Sequence, residues 1–119
     1  MAPEVALDLP YGLKVDVYSL GVVMYEVLSL TKPFIHVQPQ LFVEEVMRGG
    51  LRPSVDESWP SALKTLLQDM WASDSGKRPS SSLVVDSLGK LLRGDDNELY
   101  PCKAGWMGKL EHVRRKLTF

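Results

Sequence analysis

Between residues 15 and 30 the apolar positions do not keep to one side of a helix. Val15, Val17, Tyr18, Leu20, Val22, Val23, Met24, Tyr25, Val27, Leu28 and Leu30 cover every face, broken only by Asp16, Ser19, Gly21, Glu26 and Ser29. A helix that is apolar all round is a core helix, with other elements packed about it. The valines would also suit a buried strand, but the run is twice the usual strand length of about 4–8 residues, which decides for helix. Thr31-Lys32-Pro33 ends it, because proline cannot continue a helix.

Three further segments carry a one-sided pattern. Pro39 stands where a first helical residue would, and Phe42, Val43, Val46 and Met47 follow at helical spacing until Gly49-Gly50 stops the segment as a C-terminal cap. Leu63, Leu66, Leu67, Met70 and Trp71 fall at i, i+3, i+4, i+7 and i+8, which predicts an amphipathic helix over 62–71 that starts from Ser58-Trp59-Pro60. Ser80 is the expected N-cap of a last amphipathic helix carrying Val84, Leu88, Leu91 and Leu92, and Gly94-Asp95-Asp96-Asn97 breaks it. Residues 94–119 change character and read as a tail, with a short helix near Leu110, Val113 and Leu117. The predicted class is all-α with long loops, a helical unit over 1–93 followed by the tail.

Composition narrows the classes. A chain of 119 residues fits one small domain. Its 45% hydrophobic and 24% charged content is that of a globular protein rather than a disordered one. Lys+Arg is 14 against Asp+Glu 15, a balance that excludes a dedicated nucleic-acid binder. The longest apolar run is too short and too charged to cross a bilayer, which needs about 20 mostly apolar residues. One cysteine, Cys102, cannot form an internal disulfide, and no signal pattern is visible. The expectation is a reducing, cytoplasmic setting with no nucleic-acid and no membrane partner.

Self-sufficient chemistry is absent from the sequence. His36 and His112 have no ligand residues at metal spacing, so no metal site is expected. No G-x-x-x-x-G-K-[ST] loop, G-x-G-x-x-G turn or G-x-S-x-G elbow occurs. The pairs Glu44-Glu45 and Asp95-Asp96 are adjacent residues, which do not face each other on a helix and read as solvated surface. Arg114-Arg115-Lys116 is a small basic group, also read as solvated.

One ordered series of motifs is more specific. Ala2-Pro3-Glu4 resembles the Ala-Pro-Glu triplet that ends the activation segment of protein kinases. Asp16-Val17-Tyr18-Ser19-Leu20-Gly21 resembles the Asp-x-Trp-Ser-x-Gly opening of the kinase core helix, with Tyr18 in place of the commoner Trp. The stretch from Met70-Trp71 to Lys77-Arg78-Pro79 resembles the kinase segment that ends in Arg-Pro. The flavour is tyrosine-kinase-like, and the lean is to serine/threonine specificity. The resemblance implies the helical C-lobe of the protein-kinase-like fold, from the Ala-Pro-Glu motif onward.

That resemblance implies roles residue by residue. Glu4 and Arg78 match a buried ion pair tying the activation segment to the lobe. Asp16 matches a carboxylate that accepts hydrogen bonds from the catalytic loop; read alone it is an acidic residue in a first helical turn, worth about 0.3–1 kcal/mol. Glu26 matches a glutamate that binds a substrate arginine in several basic-directed kinases, and its bland reading is a solvated carboxylate. Trp71 continues the Leu63–Leu67–Met70 stripe and reads as core packing. Thr118, with Arg115 three and Arg114 four residues before it, is a candidate phosphosite, weighed against a chance match in a basic tail.

No residue of the chain is expected to be catalytic. The glycine-rich loop, strand lysine, His-Arg-Asp loop and Asp-Phe-Gly metal site of the family precede its Ala-Pro-Glu triplet, and none occurs in this sequence. The chain is therefore expected to be a fragment of a kinase catalytic domain and inactive by itself. Its partners are then a protein substrate or the missing N-terminal part, and ATP and magnesium belong to the complete parent. The alternative is a non-catalytic docking module built on the same lobe.

Overall fold

The structure is a computed structural model in which residues 1–93 are described; the tail, with Thr118, Cys102, His112 and the basic group, lies outside them. Helix α1 spans Pro3–Ala6, α2 spans Lys14–Ser29, α3 spans Ser61–Met70 and α4 spans Ser81–Arg93. No strand occurs among the described residues. The expected all-α class is the observed one.

The centre of the fold is the crossing of α2 and α3. It brings Tyr18 and Tyr25 of α2 into one cluster with Trp59, Leu63, Leu67, Trp71 and Leu91. A second cluster, Val17, Leu66, Met70 and Val84, continues it towards α4. Gly21 sits at a close approach of α2 to the end of α3: a Cβ there would lie 2.9 Å from the Met70 Cβ. The glycine of the Asp-x-Tyr-Ser-x-Gly motif therefore has a packing cause. Gly21→Ala forces the helices apart, and overpacking of this kind typically costs about 1–3 kcal/mol. Chemical denaturation of the folded protein carrying the substitution should show that loss as a lower midpoint with an unchanged slope.

Helix α2 ends one residue before the expected stop. Leu30 adopts φ 55° and donates its N–H to the Glu26 carbonyl at 2.9 Å. A left-handed conformation costs a non-glycine residue about 1–2 kcal/mol, and Leu30 carries it in place of a glycine cap. Helix α4 begins as expected: Ser80 Oγ accepts the Leu83 N–H at 3.3 Å, the N-cap bond to the third helical position. Ser58 does not cap α3. It folds into a turn closed by Asp56, whose Oδ1 accepts from the Ser58 N–H at 2.8 Å and from its hydroxyl at 2.7 Å.

The segment 39–47 departs from the regular helix its spacing predicts. It forms a 3₁₀ turn, Pro39–Leu41, and then a π-helical turn, Val43–Arg48. Val46 and Met47 are neighbours in sequence and both are buried. An α-helix separates neighbours by 100°, and widening the turn lets both point inward. Phe42, at the entry, packs edge-on against Phe34 with ring centroids 5.5 Å apart. Gly50, at φ 74°, closes the segment as its sequence implied. The short helix α1, begun by Pro3, packs on this π-turn.

Only one side of α2 is covered. Val17, Tyr18, Gly21 and Tyr25 are buried, whereas Leu20, Val23, Val27 and Leu30 are between 43% and 59% exposed. Leu20, Val23 and Val27 recur at i+3 and i+4, a single stripe along the outer face, and the cap residue Leu30 is exposed just beyond its end.

Candidate functional site: the Glu4–Arg78 clasp

Arg78 follows a turn whose shape is set locally. Asp74 Oδ1 accepts the Gly76 N–H at 2.9 Å, Ser75–Lys77 make a 3₁₀ turn, and the chain then extends through Arg78 into Pro79. The Arg78 side chain is fully buried and reaches the first turn of α1. Its Nη1 donates to Glu4 Oε1 at 2.6 Å and its Nη2 to Glu4 Oε2 at 2.9 Å, the parallel two-point pairing of guanidinium and carboxylate.

The remaining N–H groups of the guanidinium go to carbonyls. Nε donates to Ala72 O at 2.9 Å, Nη1 also to Lys14 O at 3.2 Å, and Nη2 also to Ser73 O at 3.4 Å. All five donors of the arginine are thus used. In return Lys14 Nζ donates to the Arg78 carbonyl. One side chain joins α1, the start of α2, and the loop between α3 and α4. The hydrogen bonds from Arg78 hold the Glu4 carboxyl below its ordinary value of 4.5 against the opposing effect of burial.

Tyr18 forms the wall behind this clasp. Two guanidinium groups, those of Arg78 and Arg52, lie over its ring, each 5.1 Å from the centroid. Arg52 donates Nε to Trp71 O at 2.8 Å, Nη1 to Val46 O at 2.9 Å and Leu51 O at 2.8 Å, and Nη2 to Ser73 Oγ at 3.2 Å. Carbonyl dipoles and a π face, rather than a carboxylate, carry this second charge. Burial pushes the Arg52 guanidinium towards easier proton loss; the Tyr18 ring opposes this and the Arg78 charge adds to it. Arg52 was not among the residues the sequence singled out. It lies in a loop of Pro, Ser and acidic residues, and its partners come from four separate places in the chain, so no local pattern marks it.

The Tyr18 hydroxyl is buried without a hydrogen-bond partner among the described residues, and burial raises its pKa. Tyr18→Phe should therefore leave stability within about 1 kcal/mol of the parent, since no bond is lost. Tyr18→Ala should cost about 3–5 kcal/mol through the cavity and the loss of both cation–π contacts. Paired thermal melts of the two variants check the difference.

The other singled-out residues lie apart. Trp71 is buried with its ring 5.9 Å from that of Tyr25, a core position. Asp16 is exposed in the first turn of α2, and Glu26 is exposed on the same helix, beside the outer apolar stripe. Neither makes a side-chain bond or ion pair with another described residue. The structure therefore brings Glu4 and Arg78 together and leaves Asp16 and Glu26 as separate carboxylates facing solvent. Thr118 lies outside the described residues. No group of three His, Cys, Asp or Glu among the described residues could hold a metal ion, and no helix among them is long and apolar enough to cross a membrane.

The clasp joins Glu4 of the first motif to Arg78 of the third, and Tyr18 of the second lies against it. The family described as protein tyrosine and serine/threonine kinase matches residues 1–88. The serine/threonine-protein kinase STY46 of Arabidopsis thaliana is 34% identical over 82% of this chain and 17% of its own length. The dual specificity protein kinase shkE of Dictyostelium discoideum is 36% identical over 77% of this chain and 13% of its own. The human mitogen-activated protein kinase kinase kinase 7 is 33% identical over 87% of this chain and 18% of its own. The chain thus spans less than a fifth of the length of these curated relatives. With a family match over most of its length and the three motifs assembled around one buried ion pair, the chain belongs to the protein tyrosine and serine/threonine kinase family.

Proposed function

We infer that this chain works as the helical-lobe part of a protein kinase that transfers phosphate from ATP to serine or threonine hydroxyls of a protein substrate. The observation that carries the reading is the Glu4–Arg78 clasp, with all five guanidinium donors used. Such a clasp fixes the segment just before α1 to the lobe, and a fixed segment is what positioning a protein substrate requires. The names of the relatives, serine/threonine and dual specificity kinases, support hydroxyl groups as the acceptors.

None of the phosphate-cradling motifs sought in the sequence occurs in this chain. ATP and magnesium are proposed as ligands of groups outside this sequence, and no step is routed through them here. Glu26, exposed and without an ion pair to another described residue, is the proposed contact for a basic residue of the substrate. A reducing, cytoplasmic setting is proposed from the single Cys102.

The experiment is to read the transcript ahead of the Met1 codon. A reading frame continuing upstream into a glycine-rich loop, a His-Arg-Asp loop and an Asp-Phe-Gly motif supports the proposal. A genuine start at Met1 with its own promoter directly before it counts against the proposal and favours a docking module.

A further inference from the structure

Arg52 carries a charge that no carboxylate among the described residues meets in an ion pair. An arginine has five N–H donors, and the carbonyls of Trp71, Val46 and Leu51 take three of them. A fourth, on Nη2, goes to Ser73 Oγ at 3.2 Å. The second N–H of Nη2 makes no hydrogen bond to a described residue. The spare donor therefore belongs to the nitrogen that already faces a hydroxyl.

That hydroxyl is accessible. Ser73 opens an exposed run, residues 73–77, on the turn between α3 and α4. Its carbonyl accepts from Arg78 Nη2 at 3.4 Å, so the backbone is tied to the clasp while the side chain meets Arg52. Gly50, at φ 74°, borders the same hydroxyl: a Cβ there would lie 3.5 Å from Ser73 Oγ.

We propose that Ser73 is a phosphorylation site whose phosphate is held by Arg52. In the transfer, Ser73 Oγ forms a bond to the terminal phosphorus of ATP and the bond from that phosphorus to its bridging oxygen breaks. ADP leaves, and the hydroxyl proton passes to a base of a separate serine kinase. The ester brings a charge of about −1.5 to −2 and three acceptor oxygens. Arg52 answers both, with an unpaired charge and an N–H to spare. Bonds from guanidinium to phosphate are charge-assisted and stronger than the neutral contact they replace. The modification ties the Gly50–Arg52 loop to the turn that carries Arg78. Ser75 is exposed on the same turn, but its hydroxyl makes no bond to an arginine among the described residues. Asp74 lies between the two serines and adjoins both, so it does not favour either.

The test has two arms. In the first, the natural protein is purified from its own cells over several growth conditions and digested with trypsin. Peptide 65–77 contains both serines, and fragment ions assign the phosphate. Phosphate on Ser73 is expected; an unmodified peptide throughout, or phosphate on Ser75 alone, overturns the proposal. In the second, phosphoserine is installed at position 73 of the full 119-residue chain during translation and titrated by phosphorus NMR. Its second ionisation should lie about one unit below the ordinary value of about 6, because a cation stands beside it. Denaturing urea and Arg52→Gln should each return it to that value. Phosphoserine installed at position 75 instead gives a reference that keeps Arg52 in place, and it should titrate higher than position 73. Equal values at 73 and 75, or a value at 73 that Arg52→Gln does not move, overturn the capture by Arg52.

Discussion

Arg78→Ala should destabilise the folded protein by about 3–5 kcal/mol, the cost of breaking a buried pair from one side. The loss has three parts. Glu4 is left as a nearly buried carboxylate without its cation. The carbonyls of Ala72, Ser73 and Lys14 lose their donor. The Tyr18 ring loses one of its two guanidinium neighbours. Arg78→Lys should recover only part of this, because an ammonium cannot meet both carboxylate oxygens and three carbonyls from one planar fork. Glu4→Ala leaves the same arginine uncompensated, so the double variant should lose clearly less than the sum of the singles. Urea titration of all four proteins measures that coupling.

The same clasp fixes the sign of an acid effect. Glu4 has a folded pKa below its ordinary value of 4.5. The unfolded chain therefore binds the proton more readily, and the stability the clasp contributes is present above the unfolded value. It is lost as pH falls through the lower folded one. Glu4→Gln should flatten the acid limb of the stability profile without changing it near neutrality in slope.

Association of the isolated chain is the second large effect expected. Leu20, Val23 and Val27 stand exposed in one stripe on α2, with Leu30 exposed at its cap. Burying a Val or Leu side chain contributes roughly 1.5–3 kcal/mol, and four such residues together approach the whole stability of a domain, about 5–15 kcal/mol. A contiguous apolar face of this kind drives self-association. Sedimentation of the purified chain should show species larger than the monomer, with binding of an apolar dye. Val23→Lys with Val27→Glu should reduce both while leaving the far-ultraviolet dichroism unchanged, because neither position is packed. A dye-negative monomer with a sharp cooperative melt would instead describe a self-sufficient domain.

The sequence pattern carried the helices because their periods are local. The 3.6-residue stripe of Leu63, Leu66, Leu67 and Met70 and the cap at Ser80 led to α3 and α4 within a residue or two. The run from Val15 to Leu30 carried the helix of α2, but its all-round apolar pattern implied elements packed on every side, whereas Leu20, Val23 and Val27 are exposed. The π-turn was not legible, since its cause is the joint burial of Val46 and Met47 against elements distant in sequence. Helix α1 is too short to have a period, and only Pro3 marks its start. In the site, Glu4 and Arg78 were legible as members of ordered motifs. Arg52 was not: its carbonyl partners at Trp71, Val46 and Leu51 become partners only after the loop folds over Tyr18. Gly21 was read as a motif letter, and its physical reason, the Met70 contact, appears only with α3 in place.

Phosphate transfer, measured side by side on two proteins, decides whether this chain is one lobe of a larger kinase. One is the 119-residue chain; the other is the product of the longest reading frame that contains it. Each is given radiolabelled ATP, magnesium and a basic protein substrate. No incorporation above the buffer blank is expected for the chain, and incorporation is expected for the longer product, reduced by Arg78→Ala. Transfer by the mass-verified chain alone, or none by a longer product that carries every catalytic motif, would contradict that assignment.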